Sequence, residues 1–128
     1  MNKIFGNLAK LDHALYIHRL FNYIQPELGV KDFAKVDHNN CRLGKWYNVG
    51  MGKQEFSSTA SYPKLEKPHG VVHTFANNIA SLENTLINIV EKESEICNML
   101  DKVSEARLDV FKHIDSMLEE KTSLIEAE

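Results

Sequence analysis

Two histidines four residues apart carry the clearest chemical signal in this 128-residue sequence, in the run Pro68-His69-Gly70-Val71-Val72-His73. On a helix that spacing puts both imidazoles on one face, about 40° apart in azimuth and about 6 Å apart along the axis. Two imidazoles so placed can share a metal ion, whereas on a solvated face the same pair is inert. Gly and Val lie between them, so the general-base Glu of an H-E-x-x-H hydrolase is missing. Glu66 is the only acid close to the pair in sequence.

The second candidate is Cys41, in Cys41-Arg42-Leu43-Gly44-Lys45-Trp46. In the first turn of a helix its thiolate is favoured by the helix dipole, and a thiolate is both a metal ligand and a nucleophile. Gly44, on the same face, leaves room for another helix to approach. The third is His13, which shares an inward face with Tyr16 and Leu20; a buried histidine bonded to a carbonyl is the alternative reading. His38 rivals His13 for the remaining ligand position. His18 lies about 140° round the helix from His13, so the two cannot face one point. His113 has charged neighbours and is expected to meet water, and Cys97 reads as a small core residue. Three histidines and one cysteine suit the tetrahedral N and S preference of Zn2+, and the soft thiolate disfavours Mg2+ and Ca2+. Four protein ligands close such a site to substrate, which points to a sensing or structural role and away from an enzyme.

These residues need helices to position them. Ile4, Leu8, Leu11, Leu15, Leu20 and Ile24 recur at three- and four-residue steps and predict a first helix over residues 2–24 with that stripe toward the core. Pro26 and Gly29 stop it. An irregular connection with Val30, Phe33 and Val36 leads to a short helix from Cys41 to Val49, which Gly50 and Gly52 end. Residues 54–63 read as a Ser- and Thr-rich loop. A second long helix starts near Pro68, whose missing N–H costs nothing in a first turn. The apolar pattern from Leu82 to Met117 would make a helix of about 90 Å with what precedes it, so a reversal is expected at residues 91–95, with Ser94 capping the helix that follows. No β pattern competes. The expected fold is all-α: an antiparallel four-helix bundle of three long helices and one short, in a single domain over residues 1–128.

Composition agrees. With 43% apolar and 26% charged residues the chain has the balance of a globular protein. A net charge of −3 argues against nucleic acid as a partner, since phosphate binding needs a basic footprint. No apolar run is long enough to cross a bilayer, and Lys10, Asp12 and His13 interrupt any signal-peptide core at the N-terminus. Two cysteines in an unexported chain read as thiols.

Taken together, the three blocks resemble the bacterial chemoreceptor zinc-binding (CZB) family. Its pattern is a His followed three residues later by an aromatic, then C-x-[LF]-G-x-W, then H-x-x-x-H. Here these are His13 with Tyr16, Cys41 to Trp46, and His69 with His73, in the family's order and about 28 residues apart. The resemblance implies a four-helix bundle holding one Zn2+ through His13, Cys41, His69 and His73. It also implies a cytoplasmic, usually dimeric regulatory domain serving a chemotaxis receptor or a diguanylate cyclase, in which the zinc-bound Cys41 senses oxidants such as hypochlorous acid. A zinc-level sensor controlling an output domain and a structural helical dimerisation module are the alternatives. The chain is expected to be either a stand-alone regulator or a piece of a larger receptor.

Overall fold

In a computed structural model, residues 2–127 are described; Met1 and Glu128, the ends of the expected 1–128 domain, lie outside the described residues. These residues form six α-helices: α1 (Asn2–Tyr23), α2 (Arg42–Asn48), α3 (Met51–Phe56), α4 (Glu66–Ala80), α5 (Leu86–Glu91) and α6 (Glu93–Ala127). Two 3-10 turns, Pro26–Leu28 and Tyr62–Leu65, punctuate them, and no strand occurs among the described residues. The all-α expectation holds, with six helices where four were expected.

The three long helices are α1, α4 and α6. α4 and α6 share the largest interface and run antiparallel, because Ser61 at the head of α4 donates its N–H to Glu120 near the end of α6 (2.8 Å). α1 runs against α6 as well: Gly6 lies under Leu118, and Lys10 pairs with Asp115 at 2.7 Å. Leu20, Phe56, Leu65, Val72, Val103 and Ile114 form the centre of the core, each with essentially no exposed surface. Large side chains so enclosed stabilise the fold by about 1.5–3 kcal/mol each.

Several boundaries differ from expectation for identifiable reasons. The reversal comes at residues 81–85, ten residues early, because the end of α1 pins that segment. Tyr23 Oη donates to the Leu82 carbonyl (3.0 Å), and Asn84 Nδ2 donates to the carbonyls of Tyr23 (2.7 Å) and Val30 (2.6 Å). Thr85 then caps α5 through the Asn88 N–H. Lys92 interrupts the chain before α6, and its carbonyl accepts from Ile96 N–H at 2.8 Å, so Ser94 lies inside the first turn and does not cap it. Gly50 lies in the break after α2 as expected, but Gly52 is inside α3, which runs on to Phe56 into the expected loop; Gly52 lies beneath the Trp46 ring, where a Cβ would come within 2.6 Å of ring carbon.

The inward face of α1 is also corrected. Ile4, Leu8, Leu11 and Leu15 are exposed (58, 52, 55 and 43%), while Ala9, His13, Ile17 and Leu20 are buried. α1 is apolar on both sides, and the small residues Gly6 and Ala9 decide which side packs, since they let α6 come close. Cys97, expected in the core, is exposed: Ile96 takes the buried position and Cys97 lies a further 100° round α6.

Candidate metal centre

Each candidate ligand is delivered by a different feature. α4 begins with Glu66, Lys67 and Pro68, so His69 and His73 follow one turn apart on its buried face. His13 comes from the buried face of α1. The three imidazoles are 2%, 1% and 1% exposed for His13, His69 and His73, and their ligand nitrogens all lie within 4.8 Å of one another. Ring centroids are 4.9 Å apart for His69 and His73, 5.0 Å for His13 and His69, and 5.5 Å for His13 and His73. Cys41 sits at the edge of this group, with Sγ 3.2 Å from His69 Nε2. The structure therefore gathers three of the sequence candidates, His13, His69 and His73, into one group and sets the fourth, Cys41, against His69.

Cys41 is held there by a tight turn. Asp37 accepts the N–H groups of Asn39 (2.9 Å) and Asn40 (3.1 Å), and Cys41 Sγ caps α2 by accepting the Gly44 N–H at 3.3 Å. Gly44 serves this turn and not the approach of another helix: a Cβ there would overlap the His38 carbonyl oxygen. The dipole argument for the thiolate is outweighed, because burial pushes the Cys41 thiol up despite the N–H bonds from Gly44 and Leu43.

The histidines are held neutral. Burial, then the neighbouring His73, lowers His13 from 6.5 to about 3. Burial, then His13, His73 and His38, lowers His69 to about 2. His73 is lowered by burial against a supporting bond to the Val36 carbonyl. Neutral imidazole is the form that ligates a metal. His73 Nδ1 donates to Val36 O at 2.9 Å, which leaves its Nε2 lone pair directed into the group. That Nε2 and both ring nitrogens of His13 are buried with no hydrogen-bond partner. Unpaired buried polar atoms cost about 1–3 kcal/mol each, so their clustering calls for a shared partner that accepts lone pairs. Three imidazoles and a thiol are the donors zinc prefers, and the residues fit it.

Sequence reasoning missed one supporting residue, Asn77, while it had already placed Tyr16 on the inward face of α1. Asn77 Nδ2 donates to the same Val36 carbonyl at 2.9 Å, and Asn77 follows His73 by four residues, a spacing visible in the sequence. Tyr16 stacks on His73 with centroids 4.5 Å apart and an interplanar angle of 27°. His38, the rival ligand, turns to Glu66 instead, Nε2 to Oε1 at 2.5 Å. His18 is exposed and His113 half-buried, both apart from the group. A cavity of about 480 Å³ opens between α1 and residues 30–43 and includes His13, Tyr16 and Cys41 in its wall.

Among the described residues no helix is long and apolar enough to cross a membrane. No curated protein and no solved structure matches the chain. Residues 13–80, more than half of its length, match the chemoreceptor zinc-binding domain family. That span opens at His13 and takes in Cys41, His69 and His73, the residues that converge here: the chain belongs to the chemoreceptor zinc-binding domain family, whose members are zinc-binding domains of signalling proteins.

Proposed function

We propose that this chain is a regulatory sensor domain in which His13, Cys41, His69 and His73 would hold one Zn2+, with Cys41 as the oxidant-sensitive member. The observation that carries the reading is the buried trio of imidazoles with Cys41 against His69. A divalent cation there supplies positive charge that favours the Cys41 thiolate over the protonated form that burial otherwise maintains. The chain's own residues do the rest. Val36 fixes the His73 tautomer, the Asp37 turn aims Cys41, and the adjoining cavity gives a small oxidant a path to Sγ.

Attack of the thiolate sulfur on hypochlorous acid would give the sulfenic acid and chloride; sulfur is oxidised by two electrons and chlorine reduced by two. A sulfenic acid is a poorer ligand, so the turn bearing Cys41 would lose one of its ties to α4. Motion there would be read by an attached signalling output, such as a chemoreceptor signalling domain or a diguanylate cyclase. We read α1, α4 and α6 with the α2–α3 pair as the four layers of a bundle. The exposed Ile4, Leu8, Leu11 and Leu15, at coiled-coil spacing on α1, support a homodimer. The free thiols Cys41 and Cys97 suit the cytoplasm.

The test treats zinc-loaded protein with one equivalent of hypochlorous acid and follows zinc release beside peptide mapping of Cys41. A single-oxygen adduct on Cys41 ahead of other residues, with the zinc then given up more readily to a chelator, is expected. Oxidation of methionines first, with Cys41 intact and zinc retained, overturns the oxidant reading.

A further inference from the structure

His38 stands three residues before Cys41 on the same Asp37-centred turn, one ring away from the centre. Its centroid is 5.5 Å from that of His69, the same separation that His13 keeps from His73 inside the group. The ring lies beside Gly70, where the nearest side-chain carbon, had there been one, would sit 3.5 Å from it. On the far side it is tied to Glu66, through a contact between side chains 25% and 48% exposed. Exposed pairs of this kind hold a side chain weakly. The backbone around His38 is, by contrast, rigid: Asp37 binds two N–H groups of the turn, and the His38 carbonyl packs on Gly44.

We infer that His38 is a reserve ligand of the metal centre, taking the fourth position when the Cys41 thiolate is removed from it. The inference rests on the zinc reading above. Cys41 and His38 leave the same fixed turn, so exchange needs side-chain rotation and no refolding. Imidazole is the longer side chain and spans the extra distance past His69. Gly70 puts no side chain on the stretch of α4 surface that the His38 ring lies against. The consequence is a centre that changes from three imidazoles and a thiolate to four imidazoles, and so keeps its ion. Loss of Cys41 then re-aims the turn, through His38 letting go of Glu66, without emptying the site.

The test uses the full chain loaded with Co2+, whose spectrum reports ligand type and geometry, in wild type, His38→Ala, Cys41→Ser and the double variant Cys41→Ser/His38→Ala. Serine preserves an oxygen acceptor to cap α2, and circular dichroism checks that helix content is kept. Wild type and His38→Ala are expected to show a thiolate-to-cobalt band and equal affinity. Cys41→Ser is expected to lose that band yet retain one tetrahedral cobalt per chain. The double variant is expected to bind more weakly than Cys41→Ser by at least the roughly 10–100-fold that loss of a mere supporting residue costs. Equal affinity and equal spectra for Cys41→Ser and the double variant overturn the reserve-ligand role and leave the zinc reading standing. Absence of cobalt and zinc binding by wild type overturns both. Should Cys41→Ser lose helix content, wild type and His38→Ala with Cys41 blocked by methyl methanethiosulfonate replace it in the same comparison, with the same outcomes.

Discussion

His73 and Asn77, one helical turn apart on α4, donate to a single acceptor, the carbonyl of Val36, each at 2.9 Å. That carbonyl belongs to the irregular segment leading to Cys41, so one atom ties the α4 ligands to the segment that carries the thiol. The bond to His73 also selects the tautomer whose Nε2 faces His13 and His69. Outer contacts of this type commonly decide how well a metal site works.

Asn77→Ala should therefore weaken zinc binding by about 10–100-fold while leaving the fold intact. Competition against a chelator of known affinity measures it. Retention of Val36 by His73 alone, with unchanged affinity, would show Asn77 to be incidental.

Gly44 and Gly70 make a contrasting pair. Alanine at Gly44 would overlap the His38 carbonyl, so Gly44→Ala should destabilise the protein by about 1–3 kcal/mol or more in urea and displace Cys41. Alanine at Gly70 meets the His38 ring at ordinary contact distance and should be neutral or stabilising by up to about 1 kcal/mol, the helical penalty of Gly being removed. Equal urea midpoints for the two variants would refute the assigned role of Gly44.

Metal-free protein should be acid-sensitive. His13 and His69 titrate at 6.5 when unfolded but only at about 3 and about 2 in the fold, so below pH 6.5 the unfolded chain binds protons that the folded chain refuses. Stability is complete above pH 6.5 and falls as pH drops toward 3, by on the order of 1 kcal/mol per pH unit per histidine. Urea melts at pH 7.5, 6 and 5 check this, and a flat profile would contradict it.

On α1, Leu8→Glu with Leu11→Glu should convert a dimer to monomer in sedimentation velocity with little change in monomer stability, because both side chains are about half exposed (52 and 55%). Persistence of the dimer would place its interface elsewhere.

The centre was largely legible in the sequence, since its signal is local. The interval from His69 to His73 needs only a helix to become a shared face, and Pro68 marks where that helix starts. Long-range facts were hidden. α1 carries apolar residues on both sides, and nothing in its own periodicity says that the face with Gly6 and Ala9 packs on α6. The reversal at 81–85 depends on Asn84 reaching Tyr23 and Val30, partners more than fifty residues away. His38 could be placed near the site from its distance to Cys41, but its turn toward Glu66 is a tertiary outcome.

The central claim is that His13, Cys41, His69 and His73 make one metal centre. Native mass spectrometry of zinc-saturated, desalted wild type beside His69→Ala tests it most directly, because His69 touches the other members of the group. One zinc per chain in wild type and none in His69→Ala is the expected result. Zinc-free wild type, or a His69→Ala chain that still holds its ion, would contradict it.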